Sequence, residues 1–187
     1  TFSELYVGTV SAGTNKIIVT AGDFVDKKGK FDAEQSTVRF TGRKDQMLHF
    51  TFNDKFHVVE NAKEGGKLVF FFHTITMQCF RAEPGTTTEF TVGRTYVTDL
   101  DLRGKKDDYI ILRSNDPKKA APVRFSGKQH IKYVRFQNID AHSNGYGPKE
   151  IKATYGCIDD GGNQGMMFGS GSKPKPREKD DNDEPDK

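Results

Sequence analysis

The sequence predicts an all-β protein made of two tandem, structurally similar antiparallel β domains, sandwich or barrel-like, followed by a disordered C-terminal tail. Three observations predict it. Glu4, Val7, Gly8 and Val38-Arg39-Phe40-Thr41-Gly42 return at one constant offset as Glu89, Val92, Gly93 and Val123-Arg124-Phe125-Ser126-Gly127. A spacing held from Glu4 to Gly42 reads as duplication of one unit. Short runs rich in Val, Ile, Thr, Phe and Tyr alternate with clusters of Gly, Asn, Asp and Lys, the pattern of sandwiches and barrels. No segment sustains a helical period.

In chain order, the first copy (1–80) is expected to place strands near Leu5 to Val10, Lys16 to Thr20, Thr37 to Phe40, Met47 to Phe52, Lys55 to Glu60 and Lys67 to Phe80. Asn53-Asp54 reads as a tight hairpin turn, because both residues tolerate a left-handed backbone. Phe70-Phe71-Phe72 places rings on both faces of its strand, which predicts cover on both sides. A short linker (81–87) carries Pro84-Gly85. The second copy (88–160) repeats the pattern at Thr88 to Thr98, Tyr109 to Arg113, Pro122 to Ser126, Ile131 to Gln137 and Glu150 to Cys157, with a break at Gly145 to Pro148. From Gly161 to Lys187 the chain turns glycine-rich and then charged, a composition that predicts disorder. Met166-Met167-Phe168 is an isolated apolar triplet within it, read as a strap onto the sheet rather than a ligand anchor.

The formal charge of +3 on 187 residues is too small to argue by itself for nucleic acid or an anionic membrane. Lys173 to Lys187 holds five basic and six acidic residues, which leaves the rest modestly basic. Two cysteines, outside any Cys-x-x-Cys or Cys/His spacing, argue against a zinc site. Cys79 and Cys157 close the two copies, so they are candidates for a disulfide; the other reading is two buried thiols. A chain that starts at Thr1 with no apolar run long enough to span a membrane reads as a processed, secreted, extracellular chain that has lost a signal peptide.

The segment Val123-Arg124-Phe125-Ser126-Gly127-Lys128-Gln129-His130-Ile131-Lys132-Tyr133-Val134-Arg135-Phe136, with Asn138 to Gly147 and Ala153-Thr154-Tyr155-Gly156, resembles the insect multiprotein bridging factor two-like family. The resemblance is fainter in the first copy, which ends in Met77-Gln78-Cys79-Phe80 in place of Tyr-Gly. It implies small secreted arthropod β proteins and carries no catalytic residues over.

His49, His57, His73, His130 and His142 share no ligand spacing, so no metal site and no cofactor are expected. Asp159-Asp160-Gly161-Gly162-Asn163 lacks the alternating carboxylates and distant Glu of a calcium loop. No nucleophile, base and orienter stand in a recognisable arrangement, which argues against an enzyme. The remaining candidates are basic. Arg124, Lys128, Lys132 and Arg135 lie within twelve positions and are expected to form a basic hairpin that binds a protein or an anionic polysaccharide or surface, without specific nucleic-acid recognition. Ordinary solvation of an exposed sheet face is the competing explanation. A carrier holding an apolar ligand between the two domains, and a hydrolase with an unrecognised site, are the alternative functions.

Overall fold

In the computed structural model, which describes residues 9–26, 30–50, 55–71, 74–142 and 150–169, every sheet pairing is parallel. The chain opens with β1 (Thr9–Ser11), β2 (Lys16–Val19) and β3 (Phe24–Asp26), and the next winding is β4 (Lys30–Asp32), β5 (Thr37–Phe40) and β6 (Gln46–Phe50). Two windings follow as β7 (Lys55–Asn61) with β8 (Lys67–Phe71), and β9 (Thr74–Ala82) with β10 (Thr87–Phe90). Then come β11 (Arg94–Arg103), β12 (Ile110–Ser114), β13 (Ala121–Phe125), β14 (Gln129–Lys132) and β15 (Val134–Gln137). The chain ends in β16 (Ile139–Asp140), β17 (Ile151–Ala153), β18 (Ile158–Asp159) and β19 (Met166–Phe168).

These strands build a β-solenoid of about six turns with no helix among the described residues. One sheet stacks β3, β6, β8, β10, β12, β15 and β18; the other stacks β2, β5, β7, β9, β11, β13 and β16, with β14 also on β11. The expectation of two antiparallel sandwich or barrel domains is therefore corrected. Val38 faces Val59, Val59 faces Phe80 and Phe80 faces Leu100. Each coil thus returns to the same height after about 21 residues, the separation of the paired Arg39 and Glu60. Four such coils span the offset seen in the sequence. Val38-Arg39-Phe40 and Val123-Arg124-Phe125 do lie four strands apart in one sheet, yet in different columns: Val38's column reaches Leu100, whereas Val123 faces Thr95. The likeness is that of coils sharing one inward and outward pattern, and it does not mark a duplicated domain.

Alternation decides which side chains fill the interior. In β5, β6, β8, β12 and β13 every second residue is buried, as a strand with one wet face requires. Stacking similar strands in parallel lines these residues into columns along the axis, such as Phe24, Leu48, Phe70 and Phe90. The columns of the two sheets meet as packed rings: Phe70 lies 5.1 Å from Phe90 and 5.5 Å from Phe80 of the opposite sheet. Phe24, Phe31, Phe50 and Phe56 form a second ring cluster in the first coils. Phe71, expected to be covered, points outward and is 47 % exposed.

Residues 83–86 form a turn within the ladder, with the Thr86 N–H donating to the Glu83 carbonyl. The Met166–Phe168 triplet is β19, paired with β17, and its Phe168 ring packs 6.0 Å from Phe136. No disulfide forms. Cys79 is half-buried in β9 and Cys157 is buried three coils further on, roughly 14 Å away at the usual strand spacing and beyond the reach of an S–S bond. Burial pushes both thiols up in pKa, which keeps them protonated. The expected Asn53-Asp54 hairpin, His73, the break at Gly145 to Pro148 and the segment Lys173 to Lys187 lie outside the described residues.

Candidate functional site

The outward columns carry the charge. On the face formed by β5, the end of β7, β9 and β11, Arg39 faces Glu60, Glu60 faces Arg81, and Arg81 faces Asp101. Signs alternate at every coil, and neighbours pair: Arg39 with Glu60, and also with Glu83 at 2.7 Å, Arg81 with Asp101 at 3.9 Å, and Arg103 with Asp101 at 2.6 Å. A parallel in-register sheet would otherwise stack like charges about 4.8 Å apart, so alternation is the arrangement that stabilises it. Beyond Asp101 the pattern stops. The next outward residues are His130 and Lys132 on β14, which face Asp101 and Arg103, and then Lys152 on β17.

The structure separates the four basic residues grouped by sequence. Arg124 lies on β13, donating from Nη1 to the Asp140 carbonyl at 2.6 Å and from Nη2 to its carboxylate at 3.2 Å. Burial pushes the Asp140 carboxyl up, but the His142 backbone N–H and the Arg124 guanidinium outweigh it and hold it below its ordinary value. Arg135 lies on β15 in the other sheet and grips Asp160 with two bonds of 2.8 Å. Both arginines are thus neutralised. Lys128, at the corner before β14, and Lys132, at its end, are exposed and, like Lys152, make no ion pair among the described residues. Side chains of the preceding coil hold two of these backbones: Lys128 N–H donates to Asp99 Oδ1 at 2.7 Å, and Lys152 N–H to Gln129 Oε1 at 2.8 Å.

Sequence reasoning missed the neighbours of these lysines. Tyr109, Tyr133 and Tyr155 occupy the same corner in three successive coils, with ring centroids 6.0 and 5.5 Å apart and planes crossing at 80° and 76°. Their recurrence, one tyrosine per coil, is visible in the sequence once the coil length is known. The corner is tight. Tyr133 alone separates β14 from β15 at φ +50°, its N–H donating to the Tyr155 carbonyl at 3.0 Å and its carbonyl accepting from Ile110 N–H at 3.2 Å. The hydrogen bond that the Tyr133 hydroxyl donates to Tyr155 pushes its pKa up.

Gly156, at φ +61°, leaves room for the Tyr133 ring, since a Cβ there would stand 2.5 Å from two ring carbons. Gly156→Ala is therefore expected to cost about 2 kcal/mol through strain and displacement of the ring. Thermal unfolding and the near-UV tyrosine signal check this, and an unchanged melt with an unchanged signal would contradict the packing.

The histidines do not converge. His49 lies edge-on to Phe71 at 4.8 Å, while His130 and His142 sit beside Asp101 and Asp140 at separate places. No group of three or more His, Cys, Asp or Glu side chains that could hold a metal occurs among the described residues. Comparison of the chain with protein-family models, curated proteins and solved structures finds no match.

Proposed function

We propose that the protein is a non-enzymatic, extracellular binding protein that engages an anionic polysaccharide along the outward flank of its last three coils. The observation that carries this reading is the end of the charge alternation: Arg39, Glu60, Arg81 and Asp101 neutralise one another, whereas Lys132 and Lys152 project from neighbouring strands with no carboxylate partner among the described residues. Unpaired cations on adjoining strands offer a polyanion several contacts at once, each releasing condensed counterions. Lys128 extends the same flank. Arg124 and Arg135, bound to Asp140 and Asp160, contribute little, because their guanidinium donors are already in use.

Retention on heparin resin tests the reading. The wild-type chain is expected to be retained at low salt, and Lys132→Glu/Lys152→Glu to elute earlier, with the slope of log affinity against log salt shallower by about two. Arg124→Gln should elute with the wild type. Equal elution of the double lysine variant and the wild type would refute the assignment.

A further inference from the structure

The tyrosine corner adds something that charge does not explain. Most phenylalanines in this fold lie inside: Phe40, Phe50, Phe70, Phe80, Phe90, Phe125 and Phe136 are all fully buried, with Phe71 an outward exception. Tyr109, Tyr133 and Tyr155 instead line up on the outside, and Tyr155 is 62 % exposed. Nor does the backbone favour a tyrosine at Tyr133, whose φ of +50° is better served by Gly or Asn. A bulky ring kept in a strained conformation, seated over a glycine that makes space for it, marks a side chain whose exposed face has a use.

We infer that Tyr109, Tyr133 and Tyr155 form a stacking track for sugar rings, so that the ligand of the lysine flank is recognised as a polysaccharide and not merely as a polyanion. The inference rests on the binding reading above and deepens it. Tyrosine suits the task, because its ring face packs against the C–H face of a pyranose while its hydroxyl bonds to sugar hydroxyls at the rim. The rings cross at 76° and 80°, which presents faces and edges in turn. A run of stacked bases would call for parallel faces instead. The adjoining 105–108 loop balances Lys105 and Lys106 against Asp107 and Asp108, so the corner beside the rings adds no net charge. Lys132, exposed at the end of β14, directly precedes Tyr133 in the chain.

The experiment compares two polyanions on the full chain: a heparin oligosaccharide, which has sugar rings, and inorganic polyphosphate, which has none. Three of the chain's six tyrosines belong to the track and there is no Trp, so the change in tyrosine fluorescence on titration, compared between the wild type and the Tyr155 variants, reports binding at the site. Tyr155→Ala is expected to weaken oligosaccharide binding on the order of tenfold and polyphosphate binding by less than about twofold. Tyr155→Phe, which keeps the ring, should retain most of the oligosaccharide affinity. Lys132→Glu/Lys152→Glu should weaken both probes. Equal losses on the two probes, no loss on either, or a Phe variant as weak as the Ala variant would overturn the stacking track and leave the lysine reading intact. Tighter binding of a single-stranded oligonucleotide than of the glycan, lost in Tyr155→Ala, would also overturn it. A wild-type chain that binds neither polyanion would remove both readings.

Discussion

Phe70→Ala is expected to destabilise the protein by about 4 kcal/mol, the upper part of the range for emptying a buried aromatic site. Phe70 is fully buried on β8, between Leu48 on β6 and Phe90 on β10, and its ring also meets Phe80 across the interior. Removing it opens a void touched by both sheets, and hydrogen-bonded ladders above and below limit how far the coil can collapse into it. Phe71, the next residue, points outward against His49, so Phe71→Ala should cost less than about 1 kcal/mol. Urea unfolding of the pair measures the contrast. In a solenoid each coil touches only its neighbours, so the Phe70 variant should also lose cooperativity, with coils on either side of the void unfolding at different denaturant concentrations. Equal costs at the two positions would mean that this strand is covered on both faces, as in the two-domain arrangement that the parallel ladder replaces.

The contrast shows why strands were legible in the sequence while their direction was not. Thr37–Phe40, Lys67–Phe71 and Ala121–Phe125 alternate inward and outward side chains, and that alternation is identical for parallel and antiparallel neighbours. Only the coil length distinguishes them, and it is blurred here. The same short step holds from Val38 through Val59 and Phe80 to Leu100, but Leu100 next faces Gln129, because β12, β13 and the loop before β12 intervene. The long offset from Val38 to Val123 then stands out where the single-coil step does not.

The candidate site was half legible for a related reason. Lys128 and Lys132 could be picked out from local composition, but the carboxylates that neutralise Arg124 and Arg135 lie 16 and 25 residues away, on the next coil. A local reading sees the cations and misses their partners. The wide separation of the tyrosines carries meaning only in a coil, where it puts three side chains on one corner. The proposed glycan reading depends on that same geometry, since the three rings come together only through the stacking of successive coils.

Lys63→Met is expected to cost about 3 kcal/mol even though it removes a buried charge. Lys63 is 6 % exposed, and its ammonium donates to the Gly42 carbonyl at 2.9 Å, the Lys44 carbonyl at 2.6 Å and Gln46 Oε1 at 2.8 Å. It thereby ties the turn after β7 to the turn one coil earlier. Methionine fills similar space but donates nothing. Gln46 Oε1 keeps the Gly42 N–H at 3.1 Å, whereas the other two acceptors lose the donor that Lys63 supplied. Relief of the ammonium's desolvation offsets part of the loss. Burial lowers the Lys63 pKa, with Asp45 drawing it only partly back. Below the depressed folded value both states are protonated and the desolvation cost is present in full. As pH rises from there toward the ordinary lysine value of about 10.4, the folded state sheds its proton first and the wild type gains stability that the variant cannot. The stability gap, measured by urea unfolding at neutral pH and again at alkaline pH below global denaturation, should therefore widen. A gap that narrows instead would mean that the three hydrogen bonds hold the ammonium more strongly than burial opposes it.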